Sequence, residues 1–187
     1  MFVCAINGSP NTNGNTAYLL NSVLEKLSGI DTKIIHIADI LQKLDRPFCT
    51  CCTTPCNKNC FAGTELENAF ETMMKADVIL FGSPVYFGGP TAQLKALFDK
   101  SRAYRGENAF LGKYGAAISC GASKYGGQEA TVRSIQDSML VWGMTILGPG
   151  SHAFDSGHLG VCASRPAAED AFAKTRCESL AARIMEL

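Results

Sequence analysis

The feature that most narrows the fold of this chain is a repeated exchange of two periodicities. "FVCAIN" (2–7) is a continuous apolar run of the kind seen in a strand buried on both faces of a parallel sheet. A polar loop follows, and residues 16–28 then place Leu20, Leu24 and Leu27 at helical spacing. The exchange recurs along the chain. "TKIIHI" (32–37), "DVILFG" (77–82), "KYGAAIS" (113–119) and "MTILG" (144–148) read as further strands. Helical period returns over 65–75, 91–104, 128–143 and 167–186, carried by Leu66 and Phe70, Leu94 and Leu97, Val132 and Met139, and Leu180 and Ile184. Five strands alternating with helices predict an α/β, doubly wound, five-stranded parallel sheet covered on both faces. Right-handed crossovers leave few orders for such strands, and a ligand is expected beyond their carboxyl ends.

No repeat, low-complexity tract or linker divides the chain, so residues 1–187 read as one domain. Seventeen basic residues balance seventeen acidic ones, which gives no general pull toward polyanions and argues against a nucleic-acid partner. No apolar run approaches the roughly 18 residues that a membrane span needs, so no membrane partner is expected. The first strand begins at Phe2 with no export signal before it, which makes a cytoplasmic location the expectation. In a reducing compartment clustered cysteines more often bind metal or do redox chemistry than form structural disulfides.

The unusual residues sit just after the strands. "NGSPNTNGNT" (7–16) joins the first strand to the first helix and is packed with Gly, Ser, Asn and Thr. Such a loop can turn its N–H groups inward, and Ser9 and Thr16 can add hydroxyl donors at a helix's positive end, so it can hold a phosphate. With no Lys or Arg, it would do so by dipoles alone. It lacks both the G-K-[ST] ending of a nucleotide triphosphatase loop and the G-x-G-x-x-G dinucleotide fingerprint. The plainer alternative is a polar turn with Thr16 as helix cap. After the third strand, "GSPVYFGGP" (82–90) carries Tyr86 and Phe87 on a loop, where large aromatics either pack into the core or cover something flat. "CGASKYGGQE" (120–129) follows the fourth strand with three glycines and Tyr125.

In this order, the Gly-Ser-Pro…Gly-Asn-Thr loop (8–16), the Ser-Pro-Val-Tyr-Phe-Gly segment (83–88) with its Leu-Lys-Ala-Leu-Phe-Asp helix (94–99), and Gly-Gly-Gln-Glu (126–129) resemble the flavodoxin-like NADPH-dependent FMN reductase family, and within it the iron–sulfur flavoprotein branch. The resemblance covers nearly the whole chain. It implies that Ser9, Asn11, Asn13, Gly14, Asn15 and Thr16 hold the FMN phosphate. It further implies that Ser83, Pro84, Val85, Tyr86, Phe87 and Gly88 line the isoalloxazine ring, with Cys120, Gly121, Tyr125, Gly126 and Gly127 on its other flank. His158, in "SGHLG" (156–160), either faces a neighbouring subunit's flavin or is an ordinary loop histidine.

"CTCCTTPCNKNC" puts five of the chain's nine cysteines into twelve residues, inside a segment (47–63) that reads as an insertion after the second strand. In the iron–sulfur branch this position binds a [4Fe–4S] cluster, which implies Cys49, Cys52, Cys56 and Cys60 as ligands, with Cys51 as an alternative to Cys52. Short loops between thiolates suit so compact an object. The spacing C-x2-C-x3-C-x3-C departs from the branch, which usually sets its first three cysteines two apart before a longer gap. Thr64-Glu65 also stands where paired acids are common in the branch. Zinc and reversible thiol chemistry, including a vicinal Cys51–Cys52 disulfide, remain alternatives.

The resemblance therefore implies a redox protein passing electrons among FMN, a [4Fe–4S] cluster and outside partners such as NAD(P)H, ferredoxin, a quinone or a small oxidant, working as a homodimer or homotetramer. Its chemistry would be borne by the flavin, with no catalytic side chain. The alternatives are an NAD(P)H-dependent reductase of flavin, quinones or nitro compounds that uses FMN without a cluster, and a non-catalytic electron carrier.

Overall fold

The computed structural model describes residues 1–187. A parallel sheet forms its centre, in the order β2 (Asp31–His36), β1 (Phe2–Asn7), β3 (Val78–Pro84), β4 (Tyr114–Gly121). The fifth position, beside β4, is shared by two short strands. β5 (Thr145–Ile146) pairs with Tyr114 and Gly115, and β6 (Val161–Ser164) pairs with Ile118 to Gly121. The sheet thus has the five predicted positions but six strands, because residues 147–160 leave it and return. The return strand is only four residues long, with Val161 and Ala163 buried and Cys162 and Ser164 less so.

Seven helices cover the sheet: α1 (Asn15–Leu24), α2 (Ile37–Gln42), α3 (Glu65–Lys75), α4 (Ala92–Lys100), α5 (Arg102–Gly106), α6 (Gln128–Val141) and α7 (Ala171–Met185). α1 and α7 share one face, with a core that includes Leu19, Leu20, Val23, Cys177 and Ile184. The other five pack on the opposite face around Phe70, Phe81, Leu97 and Trp142. Each large apolar side chain buried in these layers contributes about 1.5–3 kcal/mol, so the two cores hold the sheet between them.

Two departures from the predicted elements bear on function. Ile37, read as the end of the second strand, instead opens α2, whose Ile37, Ala38 and Leu41 bury one apolar stripe. The thiol-rich stretch therefore follows a helix, and residues 43–64 contain no helix or strand. The single helix expected over 91–104 is divided at Ser101, whose Oγ donates to Phe98 O at 2.6 Å and accepts from Trp142 Nε1 at 2.8 Å. That break sets Lys100 and Arg102 on either side of a bend facing the cysteines. No helix is long and apolar enough to cross a membrane.

Candidate functional site

Three loops meet at the carboxyl ends of β1, β3 and β4. Asn7, fully buried at the end of β1, shapes the first: its Oδ1 accepts from Ser9 N at 3.0 Å, and its Nδ2 lies 3.0 Å from His36 Nδ1. Ser9 Oγ accepts from Asn11 N, and Asn11 Oδ1 from Asn13 N, so side chains replace the backbone bonds that the loop lacks. Their use in the loop's own frame leaves its tip as backbone. The loop delivers the chain to α1, whose N-cap Gly14 offers no side-chain hydrogen bond and whose first turn holds no acid. α3, α4 and α7, by contrast, are capped by Thr64, Thr91 and Asp170. An uncapped helix start leaves N–H donors for an outside acceptor. Asn15 is partly committed, since its Oδ1 accepts from Ala167 N at 2.8 Å and ties the loop to the β6–α7 connection.

Glycine brings these parts together. Gly8 N donates to Gly82 O at 2.8 Å. A Cβ on Gly82 would fall 2.8 Å from Thr16 Cγ2, and one on Gly8 would fall 2.8 Å from Leu94 Cβ. α1 can therefore sit against β3 only because residue 82 has no side chain.

The second loop is latched by buried hydroxyls. Ser83 Oγ accepts from Thr91 N at 3.0 Å, and Thr91 Oγ1 donates to Gly8 O at 2.6 Å while capping α4 through Leu94 N. Ser83, expected to line a ring, is instead fully buried and holds the loop. Beyond it Tyr86 and Gly89 exchange both backbone bonds, 2.9 and 3.1 Å. Phe87 (φ 50°) and Gly88 (φ 79°) form the left-handed middle of the turn. A bulky residue pays a steric penalty in that conformation, yet Phe87 stands fully in solvent with no packing in return. Tyr125 on the third loop repeats the pattern, with φ 60° and an exposure of 91%.

The third loop places its residues in different settings. Cys120 is buried, with its thiol pushed up to about 11 by desolvation and then by Asp170, so it is a neutral core group. The space beside Gly121 is taken by the Gln128 amide, which donates to Ser123 O and Ala163 O, and Gly126 lies against Ser123 O. Only Gly127 (φ 97°) serves a meeting of loops, since a Cβ there would come 3.2 Å from Gly88 Cα and from Val85 Cγ1. An open cavity of about 1010 Å³ adjoins this loop. It takes in Tyr125, Gly127, Cys162, Arg165 and Asp170 but no residue of the first loop. His158 packs edge-on against Phe172 of its own chain at 5.5 Å. Uncapped helix, hydroxyls and exposed strained aromatics are the groups that a phosphorylated planar ligand requires, so these loops fit FMN.

The thiol segment is organised differently. All five sulfurs are free, with Cys51 and Cys52 exposed and Cys49, Cys56 and Cys60 half-buried. As folded, no three of them stand close enough to hold a metal ion. Each end is held by a neighbour outside the segment. Phe61 is buried against Phe70 and Tyr104, at ring distances of 5.7 and 6.2 Å. Next to it, Cys60 Sγ accepts from Lys100 Nζ at 3.4 Å. At the other end Cys49 and Cys51 share a pocket lining with Arg102, and these neighbouring thiols, Cys49 first, hold Arg102 above its ordinary pKa. Four or five thiols with two cations beside them are a donor set whose chemistry suits an anionic iron–sulfur cluster, although the loop holds the sulfurs apart. Sequence reasoning missed Lys100, Arg102 and Thr91. Lys100 follows directly on the Leu-Lys-Ala-Leu-Phe-Asp stretch, but nothing local announces that it turns toward a cysteine forty positions earlier.

A model of the NADPH-dependent FMN reductase family matches residues 1–159. An iron-sulfur flavoprotein of Methanocaldococcus jannaschii is 37% identical over 163 residues, covering 86% of this chain and 83% of that one. An iron-sulfur flavoprotein of Methanosarcina thermophila is 36% identical over 173 residues, covering 91% and 86%. Among solved structures, an oxidoreductase from Corynebacterium diphtheriae superposes with a TM-score of 0.70 at 17% identity, covering 100% of this chain and 97% of that one, which bears on the fold.

Proposed function

This chain belongs to the NADPH-dependent FMN reductase family, and from that premise we propose that it is an iron–sulfur flavoprotein, an FMN-dependent oxidoreductase that also carries a [4Fe–4S] cluster. The observation that carries the flavin half is the pairing of an uncapped α1 with Phe87 and Tyr125, two exposed aromatics held left-handed at neighbouring strand tips.

In this reading the N–H groups of residues 12 and 14–16 and the Ser9 and Thr16 hydroxyls bind the phosphate without a formal positive charge. Tyr86, Phe87 and Tyr125 shield the ring from water, and the latch of Ser83 and Thr91 fixes the turn that carries the first two. No His, Asp or Glu occurs in 8–16, 83–91 or 120–128, in keeping with chemistry that requires no side-chain acid or base. FMN held there would supply two-electron and one-electron redox chemistry, and a cluster held by the thiols would supply one-electron transfer. Cys49, Cys52, Cys56 and Cys60, or Cys51 in place of Cys52, would hold the cluster, and the irregular backbone of 43–64 is free to draw them together. Donors and acceptors would be NAD(P)H, ferredoxin, a quinone or a small oxidant, reached from a homodimer or homotetramer.

A second reading is a reductase using FMN alone, favoured by the spacing of the sulfurs as folded. Anaerobic purification followed by an absorption spectrum and FMN, iron and sulfide analysis separates the two. Bound FMN together with iron and acid-labile sulfide is expected. FMN without iron, refractory to reconstitution, gives the second reading, and a colourless protein that refuses added FMN removes both.

A further inference from the structure

Lys100 is the last residue of α4, and only 1% of it is exposed. The other lysines that form ion pairs, Lys26, Lys43, Lys58 and Lys95, do so with carboxylates at the surface. Lys100 has no carboxylate. Its ammonium has a single hydrogen-bond partner, Cys60 Sγ at 3.4 Å, and lies 5.8 Å from the centre of the Phe61 ring. Three donors thus share one sulfur and one aromatic face in the core. The carbonyl end of α4 and the ring each compensate a cation slightly, but burying an unpaired ammonium costs far more than both return. A core tolerates such a group when an anion completes it.

The position of Lys100 says which anion. Its only polar contact is a sulfur of the segment that the preceding section reads as cluster-binding, and a cube of iron and sulfide on four thiolates is anionic in either redox state. We propose that Lys100 is a positioning residue for the cluster: a fixed buried charge that orients Cys60 for ligation and raises the cluster's reduction potential. The inference rests on the iron–sulfur reading above. A cation held in low dielectric acts on a nearby charge with little screening, and one added electron makes that charge more negative, so the reduced state gains most. Arg102 beside Cys49 has the same sign but faces solvent, where its influence is weakened.

The test uses anaerobically prepared holoprotein and compares wild type with K100M, K100Q and K100R by redox potentiometry of the cluster, alongside thermal unfolding of the apoproteins. At the potential where the wild-type cluster is half reduced, K100M and K100Q are expected to show at least a tenfold lower ratio of reduced to oxidised cluster. That ratio is a downward shift of about 59 mV for one electron. K100R should stay within about threefold of wild type, because the charge is kept. Apo K100M should be at least as heat-stable as apo wild type, since methionine removes a buried charge that has no counter-ion there. Neutral variants that fold and bind FMN yet lose their iron, while K100R keeps it, support the same conclusion. The inference is overturned if K100M and K100Q titrate with wild type, or if K100R shifts as far as they do. It is equally overturned if the neutral replacements unfold the apoprotein, for then the ammonium serves the fold. Wild-type protein that binds FMN but no iron instead removes the reading beneath it, and that failure is visible before any variant is made.

Discussion

The proposed flavin cradle and the thiol segment lie in one chain but are built on opposite principles. The cradle hangs from the tips of β1, β3 and β4, and buried hydrogen bonds tie its loops together, from Gly8 N on Gly82 O to Thr91 Oγ1 on Gly8 O. Its shape is complete before anything binds. The thiol segment has no strand or helix between residues 43 and 64 and is anchored by Phe61, Lys100 and Arg102. Its donors are present but not assembled. Rigid positioning suits a ligand whose phosphate must meet oriented N–H groups, whereas thiolates can be gathered by the metal that they bind.

That contrast breaks cleanly if the two sites can be removed separately, and here the largest effects are expected. Gly82→Val would drive a side chain into Thr16 and Leu20, whose atoms lie 2.8 and 2.9 Å from the added Cβ. Overpacking of this kind costs about 1–3 kcal/mol and should displace α1, so FMN binding measured by fluorescence titration should fall at least about 100-fold. Cys60→Ser should do the reverse, with iron and sulfide falling to background while FMN titrates as in wild type. A variant of either kind that loses both cofactors together would mean that the cradle and the segment form one unit.

The latch of the cradle gives the next effect. Thr91→Val keeps the shape of the side chain but deletes the bond to Gly8 O and the cap on Leu94 N, both in the interior. A loss of about 1–3 kcal/mol in denaturant unfolding is expected, because a buried carbonyl loses its donor. An unchanged midpoint would show that the two loops are held by packing alone.

Much of the cradle was legible in the sequence, and little of the segment's setting was. The four long strands and the three loops follow from runs and clusters that each lie within about ten consecutive residues, so local pattern suffices. β6 escaped because four residues with a single β-branched side chain carry no usable period. The bend at Ser101 depends on Trp142, and the charge at Cys60 on Lys100, contacts across 41 and 40 positions. The inward turn of Ser83 and Cys120 was equally invisible, since both stand at strand ends where one residue of register decides between ligand and core.

Phe87 sharpens the comparison with a smaller effect of mixed sign. Left-handed and unpacked, it contributes nothing to the folded apoprotein, so Phe87→Gly should leave apo stability unchanged or raise it by up to about 1 kcal/mol. FMN affinity should nonetheless drop about tenfold, as an aromatic contact is lost. A variant that binds FMN as tightly as wild type would show that the exposed ring serves another partner.

The smallest effect concerns the cradle's own thiol. Burial raises Cys120 from 9.0 to about 11, which means that the folded chain holds its proton where the unfolded chain has begun to release it. The stability contributed by that neutral thiol is therefore complete below pH 9, is drawn down from there, and is gone above about pH 11. At pH 9, with half of the unfolded chains ionised at this site, the loss is roughly 0.4 kcal/mol. Denaturant midpoints of the apoprotein at pH 7, 8, 9 and 10 should decline for wild type and decline less steeply for Cys120→Ala. Equal slopes would place Cys120 in contact with solvent and restore it as a candidate ligand. The expected difference instead sets the two classes of cysteine apart, one kept protonated beneath the proposed flavin cradle and the other lying beside Lys100 and Arg102.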